Sequence, residues 1–132
     1  MTQEDKELLF KDLCARLPYG VKFLRESWNF ETDQELSVIE VLEDIDKDGY
    51  INNTKVYKVK DIKPYLFPLS SMTEEEWEDY QKIRMIDWVD GDINGTFINA
   101  GLIVDWLNAH HFDYRGLIEK GLAIDATNLN VY

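Results

Sequence analysis

Lys63-Pro64-Tyr65-Leu66-Phe67-Pro68-Leu69-Ser70-Ser71-Met72-Thr73-Glu74-Glu75-Glu76-Trp77 is the stretch whose reading decides the fold. Two prolines bracket an aromatic, apolar run, and each lacks an N–H and biases the residue before it away from the helical region. The sequence therefore predicts a turn here, neither a strand inside a sheet nor a helix start within the bracket. Just beyond it, Thr73 and Glu76 have capping-box spacing, and the acids Glu74, Glu75 and Glu76 fill the positive end of the helix that follows. Upstream the chain reads mainly as strands and downstream mainly as helices. The bracket thus pins two layers together, around Tyr65 and Phe67.

Working back toward the start, Thr2 with Glu4 and Asp5 opens a helix over residues 3 to 16. Leu9, Phe10, Leu13, Cys14 and Leu17 form its apolar stripe, with Cys14 read as a small buried hydrophobe, and Pro18 stops it. Residues 19 to 24 alternate as a strand, the polar run Arg25 to Glu35 reads as a loop, and residues 36 to 45, whose Val38, Ile39, Val41 and Leu42 suit either a helical or a strand period, are read as a second strand. The partners expected for that strand are Tyr50-Ile51 and Val56 to Val59, joined through an Asp48-Gly49 turn.

Asp44-Ile45-Asp46-Lys47-Asp48-Gly49-Tyr50-Ile51-Asn52 matches the opening of an EF-hand loop. The closing place, where calcium requires a bidentate glutamate, is Lys55, and strand-like residues follow it. An acidic hairpin turn is the preferred reading. Lys55, Lys58, Lys60 and Lys63 form the basic cluster of the chain. With Lys58 and Lys60 on one strand face, they read either as a patch for an anion or acidic partner or, preferably, as guards of an edge strand.

Downstream, residues 74 to 86 form a second helix, with Trp77, Tyr80, Ile83 and Met85 or Ile86 facing inward. Asp90-Gly91 and Asn94-Gly95 are turn signals around a short apolar piece. Asn99 is placed to cap a third helix running to about His110, and Asp113 a short fourth one ended by Gly121. The whole gives an α+β domain spanning 1–132: an antiparallel sheet of three to four strands with an N-terminal helix and C-terminal helices packed on it.

Functional side chains are densest at Asp105, His110, His111, Asp113, Tyr114 and Arg115. Imidazole with carboxylate serves metal binding and acid–base catalysis, so Asp105, His110, His111 and Asp113 are the candidates for a small hydrolase or a metal- or ligand-binding protein. No His-x-x-x-His or His-Glu-x-x-His spacing supports this, and a histidine at a helix C-terminus also caps carbonyls. No nucleophile elbow, Walker loop, dinucleotide fingerprint or zinc spacing is present, so no cofactor is called for.

Charge narrows the partners. The formal net charge is −12, from 26 acids against 14 bases, which disfavours duplex nucleic acid and anionic membrane. The inverse idea is a DNA-mimicking decoy built on Glu74, Glu75, Glu76, Glu78, Asp79, Asp87, Asp90 and Asp92. No signal peptide or spanning segment is read, and Cys14 is the sole cysteine, so a reducing cytoplasmic setting is expected.

Three segments carry a family likeness. They are Lys11-Asp12-Leu13-Cys14-Ala15-Arg16-Leu17-Pro18-Tyr19-Gly20-Val21-Lys22, the bracket from Lys63 to Glu75, and Asp105-Trp106-Leu107-Asn108-Ala109-His110-His111-Phe112-Asp113-Tyr114-Arg115-Gly116-Leu117-Ile118-Glu119-Lys120-Gly121-Leu122-Ala123. Together they resemble small uncharacterised proteins of Bacteroides genomes and of their phages and prophages. The resemblance implies a bacterial or phage setting and brings no activity, cofactor or catalytic residue. The expected function is that of a non-enzymatic accessory protein acting on an unknown protein partner, with Tyr65, Phe67, His111, Tyr114 and Arg115 as exposed anchors.

Overall fold

The computed structural model describes residues 1–29, 31–53, 55–85 and 93–132. Helix α1 (Gln3–Arg16) starts at the expected cap: the Asp5 N–H donates to Thr2 Oγ1 at 3.0 Å, and the Thr2 N–H donates back to Asp5 Oδ2 at 3.3 Å. A turn of 3-10 helix over Leu17–Tyr19 ends it, and Gly20 at φ +69° redirects the chain. The buried face is Leu9, Asp12, Leu13 and Arg16, one residue round from the expected stripe. Cys14 is therefore exposed, contrary to the sequence reading. An aspartate and an arginine one turn apart neutralise each other, and that lets a charged pair occupy the inward face.

Strand β1 (Lys22–Asn29) and strand β2 (Gln34–Val41) pair antiparallel along their full lengths, from Lys22↔Val41 to Asn29↔Gln34. The run from Arg25 to Glu35, expected as a loop, is thus mostly hairpin. Its polar residues hide the alternation, and what holds it is pairing across the strands, including Arg25 Nε to Glu40 Oε2 at 3.0 Å. β2 pairs with β1 rather than with the segments expected. Those segments form a separate two-stranded sheet, β3 (Tyr50–Asn52) with β4 (Val56–Lys58). The Asp48-Gly49 turn forms as expected, with Gly49 at φ +83° and an Ile45↔Ile51 bridge across it.

The bracketed segment is the centre of the sheet and not a turn. Strand β5 (Ile62–Pro68) pairs antiparallel with β1 through Ile62, Lys63 and Pro64, and parallel with two short strands, β6 (Phe112–Asp113) and β7 (Ile124–Asp125). Its backbone bonds explain why the prolines are tolerated. Tyr65 and Phe67 turn toward one edge, where the Tyr65 carbonyl accepts from Tyr132 Oη and the Phe67 N–H donates to the His111 carbonyl, both at 2.8 Å. Leu66 turns the other way, accepting from the Ala126 N–H at 2.8 Å. By that alternation the nitrogens of Pro64 and Pro68 face the Leu66 edge, just outside the two rungs made there with β7. No rung loses a donor.

After a 3-10 turn over Leu69–Ser71 comes α2 (Glu74–Met85), with the expected capping box: Glu76 N–H to Thr73 Oγ1 at 3.1 Å and Thr73 N–H to Glu76 Oε1 at 3.0 Å. Trp77 is 50% exposed, so it does not face inward as expected, whereas Tyr80 and Ile83 are half-buried. Met85 and Ile86, the other inward candidates, and the Asp90-Gly91 turn lie outside the residues whose side chains or backbone are described. Helix α3 (Ile93–Ala109) begins six residues before Asn99 and includes Asn94-Gly95. One glycine costs a helix about 1 kcal/mol, which propagation of a long apolar helix outweighs. α2 and α3 meet through Tyr80 and Trp106, with ring centroids 5.8 Å apart.

The fourth helix is absent among the described residues. Asp113 caps a single turn in its place, accepting N–H bonds from Leu117 (3.0 Å) and Ile118 (2.9 Å). Gly121, at φ +74°, closes that turn with Gly121 N–H to Ile118 O and Leu122 N–H to Leu117 O, a Schellman arrangement. The core lies where α1, the sheet, β3 and this turn converge, on Leu9, Leu13, Phe23, Ile51, Leu66 and Leu117, all without solvent exposure. The architecture is α+β, its antiparallel strands β2-β1-β5 extended by the parallel β6 and β7.

Candidate functional site

The C-terminal cluster singled out in the sequence is split between three surroundings. His110 is exposed; its Nδ1 lies 2.9 Å from the Trp106 carbonyl, and its ring stacks on Trp106 at 4.1 Å. That is the C-terminal capping role. Asp105 is also exposed and interacts with Tyr19, whose phenol is raised by burial first and by Asp105 second. Asp113 is 8% exposed, and both its oxygens are used by backbone N–H groups. His111 sits at φ +62° and stacks on Tyr132 at 3.7 Å. Its Nδ1 is buried without a partner, and burial, followed by the charges of Arg16, His110 and Lys22, pushes its pKa down to about 4. These four groups do not converge, and among the described residues no three histidine, cysteine or acidic side chains are placed to hold a metal ion.

The structure instead joins Tyr114 and Arg115 to Asp12, Arg16 and Asn108, to which the sequence reading gave no role. Asp12 and Arg16, both fully buried, are joined at 2.7 Å, and Asp12 Oδ1 accepts from Arg115 Nε at 3.1 Å. Arg16 Nη2 donates to the Phe112 carbonyl at 2.6 Å, and its guanidinium lies 5.3 Å from the Tyr114 ring centroid. Tyr114 Oη donates to Asn108 Oδ1 at 2.9 Å and accepts from Arg115 Nη2 at 3.3 Å. Residues about a hundred positions apart in the chain are thus fastened in one buried polar network. Both oxygens of the Asp12 carboxylate are occupied by charged donors, Oδ2 by Arg16 and Oδ1 by Arg115. The arrangement fixes α1 to the β6 segment and the residues that follow it.

The expected surface anchors are therefore mostly internal. Tyr65 is 6% exposed on β5, and Phe67, half-buried, packs against Phe112 and Tyr132. Tyr114 and Arg115 are half-buried in the network just described. The sequence clue for that network was the Asp12-x-x-x-Arg16 spacing.

The EF-hand-like turn closes on itself. Asp46 Oδ1 accepts the N–H of Asp48 (2.9 Å) and of Tyr50 (3.0 Å), and Asn52 Nδ2 reaches Asp44 and Asp46. The Tyr50 N–H is the main cause that lowers the Asp46 carboxyl below its usual value. In the acidic segment, Glu74, Glu75, Glu78 and Asp79 are exposed on α2 while Glu76 is used in the cap; Asp87, Asp90 and Asp92 lie outside the described residues. Lys58 ends β4 and Lys60 lies in a 3-10 turn (Val59–Asp61), so the two do not share a strand face.

One surface is open in a way the sequence did not advertise. The Val41 carbonyl accepts from Asn53 Nδ2 at 2.7 Å, whereas the Leu42 N–H donates to Val21, so Val41 turns its backbone away from β1. Ile39 and Ser37, two and four residues back, do the same along the outer edge of β2. Ile39 is 48% and Val41 43% exposed. No protein-family model, curated protein or solved structure matches the chain. No described helix is long and apolar enough to cross a membrane.

Proposed function

We propose that the chain is a non-enzymatic accessory protein of a phage, a prophage or the bacterial host, working in the cytoplasm by adding a strand of another protein to the outer edge of β2. The observation that carries this is the edge itself: among the described residues no strand pairs with it, it has no lysine or proline, and Ile39 and Val41 are exposed along it, with the Val41 carbonyl already taken by Asn53. Folded proteins normally blunt such an edge with a lysine, a proline or a bulge. Strand addition draws affinity from backbone bonds and specificity from alternate side chains. The segment Glu31 to Asp44 holds six acids and no base, so the partner is an extended segment alternating apolar residues with lysine or arginine.

Ile39→Pro removes an outward N–H without touching the ladder to β1. Capture from Bacteroides lysates, with and without phage infection, should retain a partner on the wild-type chain and lose it on this variant, while unfolding curves of the two chains coincide. The bound partner should also slow amide exchange at Ser37 and Ile39. Retention unchanged by Ile39→Pro, or protection confined to other elements, overturns the reading.

A further inference from the structure

Lys6, Lys47, Lys58 and Lys60 come from α1, the acidic turn and the β4 end, yet they border one cavity of about 420 Å3. An adjoining cavity of about 590 Å3 shares Tyr50, Lys58 and Lys60 with it and adds Lys63. Four lysines and two acids, Glu7 and Asp48, line the first cavity, in a chain whose net charge is −12. The ion pairs among the described residues use Asp12 with Arg16 and Arg115, and Arg25 with Glu40. None uses these five lysines, although acids outnumber bases by 26 to 14. Edge protection does not account for the arrangement, because Lys6 lies on a helix and Lys47 in a turn.

We propose that this lysine-lined cavity binds a small molecule carrying two or more phosphate groups. Lysine ammoniums are mobile point charges with three donors each, suited to phosphate oxygens that are not held in a fixed fork. The volume of the first cavity lies within the usual range for small-ligand sites. A small polyanion stays within the positive patch, whereas a nucleic acid would extend over the acidic remainder of the surface and be repelled. Tyr50, 41% exposed and common to both cavities, offers a ring face for an organic moiety attached to the phosphates.

Calorimetric titration with tripolyphosphate, with ATP and with a short DNA duplex tests this on the full chain. Tripolyphosphate and ATP should each saturate at one per chain. Lys58→Ala/Lys60→Ala should weaken both by about tenfold or more, the loss of charged hydrogen bonds, while Lys82→Ala/Lys120→Ala changes them less than about twofold. Absence of saturable binding, equal weakening in the two double variants, or tighter binding of the duplex than of ATP overturns the proposal. All four lysines replaced lie partly or fully at the surface, so coincident unfolding curves verify that folding is unchanged.

Discussion

Arg16 Nε lies 2.7 Å from Asp12 Oδ2, one helical turn earlier, and neither side chain has any contact with solvent. Asp12 also receives Arg115 from the far end of the chain. Removing that carboxylate strands two guanidiniums, one of them wholly buried. Asp12→Asn should cost about 3–5 kcal/mol in urea unfolding, the usual penalty for an uncompensated buried charge. Replacing both members, Asp12→Leu with Arg16→Met, should recover more than half of that loss. A single-variant cost below about 1 kcal/mol would show that the network does not hold α1 in place.

Tyr132 replaces a missing rung of the sheet. Its hydroxyl accepts from the Lys22 N–H and donates to the Tyr65 carbonyl, both at 2.8 Å, and Lys22 Nζ bonds the Val131 carbonyl. Burial pushes the phenol up to about 12, against the opposing effects of the Lys22 N–H and Arg16. Tyr132→Phe keeps the rings stacked and leaves two backbone groups unpaired. A loss of about 1–3 kcal/mol is expected in thermal or urea unfolding, and none if the hydroxyl merely rests at the surface.

The starts of α1 and α2 and the α+β class were legible because their signals are local, whereas the start of α3 and the single turn after Asp113 were not. Thr2 with Asp5, and Thr73 with Glu76, carry their caps within four residues. The centre of the sheet was not legible. Proline is a poor strand residue only where its nitrogen must donate, and which edge Pro64 and Pro68 face depends on strands fifty residues away. The site suffered likewise. His110 and His111 are neighbours in sequence but point into different surroundings, while Asp12 and Arg115 meet only through the tertiary fold. The lysine cluster was visible from Lys55 onward, but Lys6 and Lys47 join it only in three dimensions.

Gly121 tests the turn that stands where a fourth helix was expected. A Cβ built there meets nothing within 4 Å, so substitution adds strain only through its φ of +74°. Gly121→Ala should therefore cost about 1 kcal/mol, a left-handed alanine being that much worse than glycine. Gly121→Asn should cost less. If alanine proves neutral in urea unfolding, the Schellman closure is not holding the core residues Leu117 and Leu122 in place.

His111 makes stability fall with acid in a defined window. Its folded pKa is near 4, against an ordinary value of 6.5, because burial and the charges of Arg16, His110 and Lys22 disfavour the imidazolium. Above about pH 6.5 both folded and unfolded chains carry a neutral ring, and the native state bears no penalty. As pH falls from there toward 4 the unfolded chain takes up a proton that the folded chain refuses, so stability is lost progressively. The ring is only partly buried, and screening reduces the effect to about 1–2 kcal/mol. His111→Asn removes the titration and tolerates the positive φ. Urea midpoints measured from pH 7 to 4 should fall more steeply for the wild-type chain than for His111→Asn, whose remaining slope reports the carboxylates common to both. Parallel pH profiles would mean that the imidazole reaches solvent and takes up its proton in the folded chain as readily as in the unfolded one.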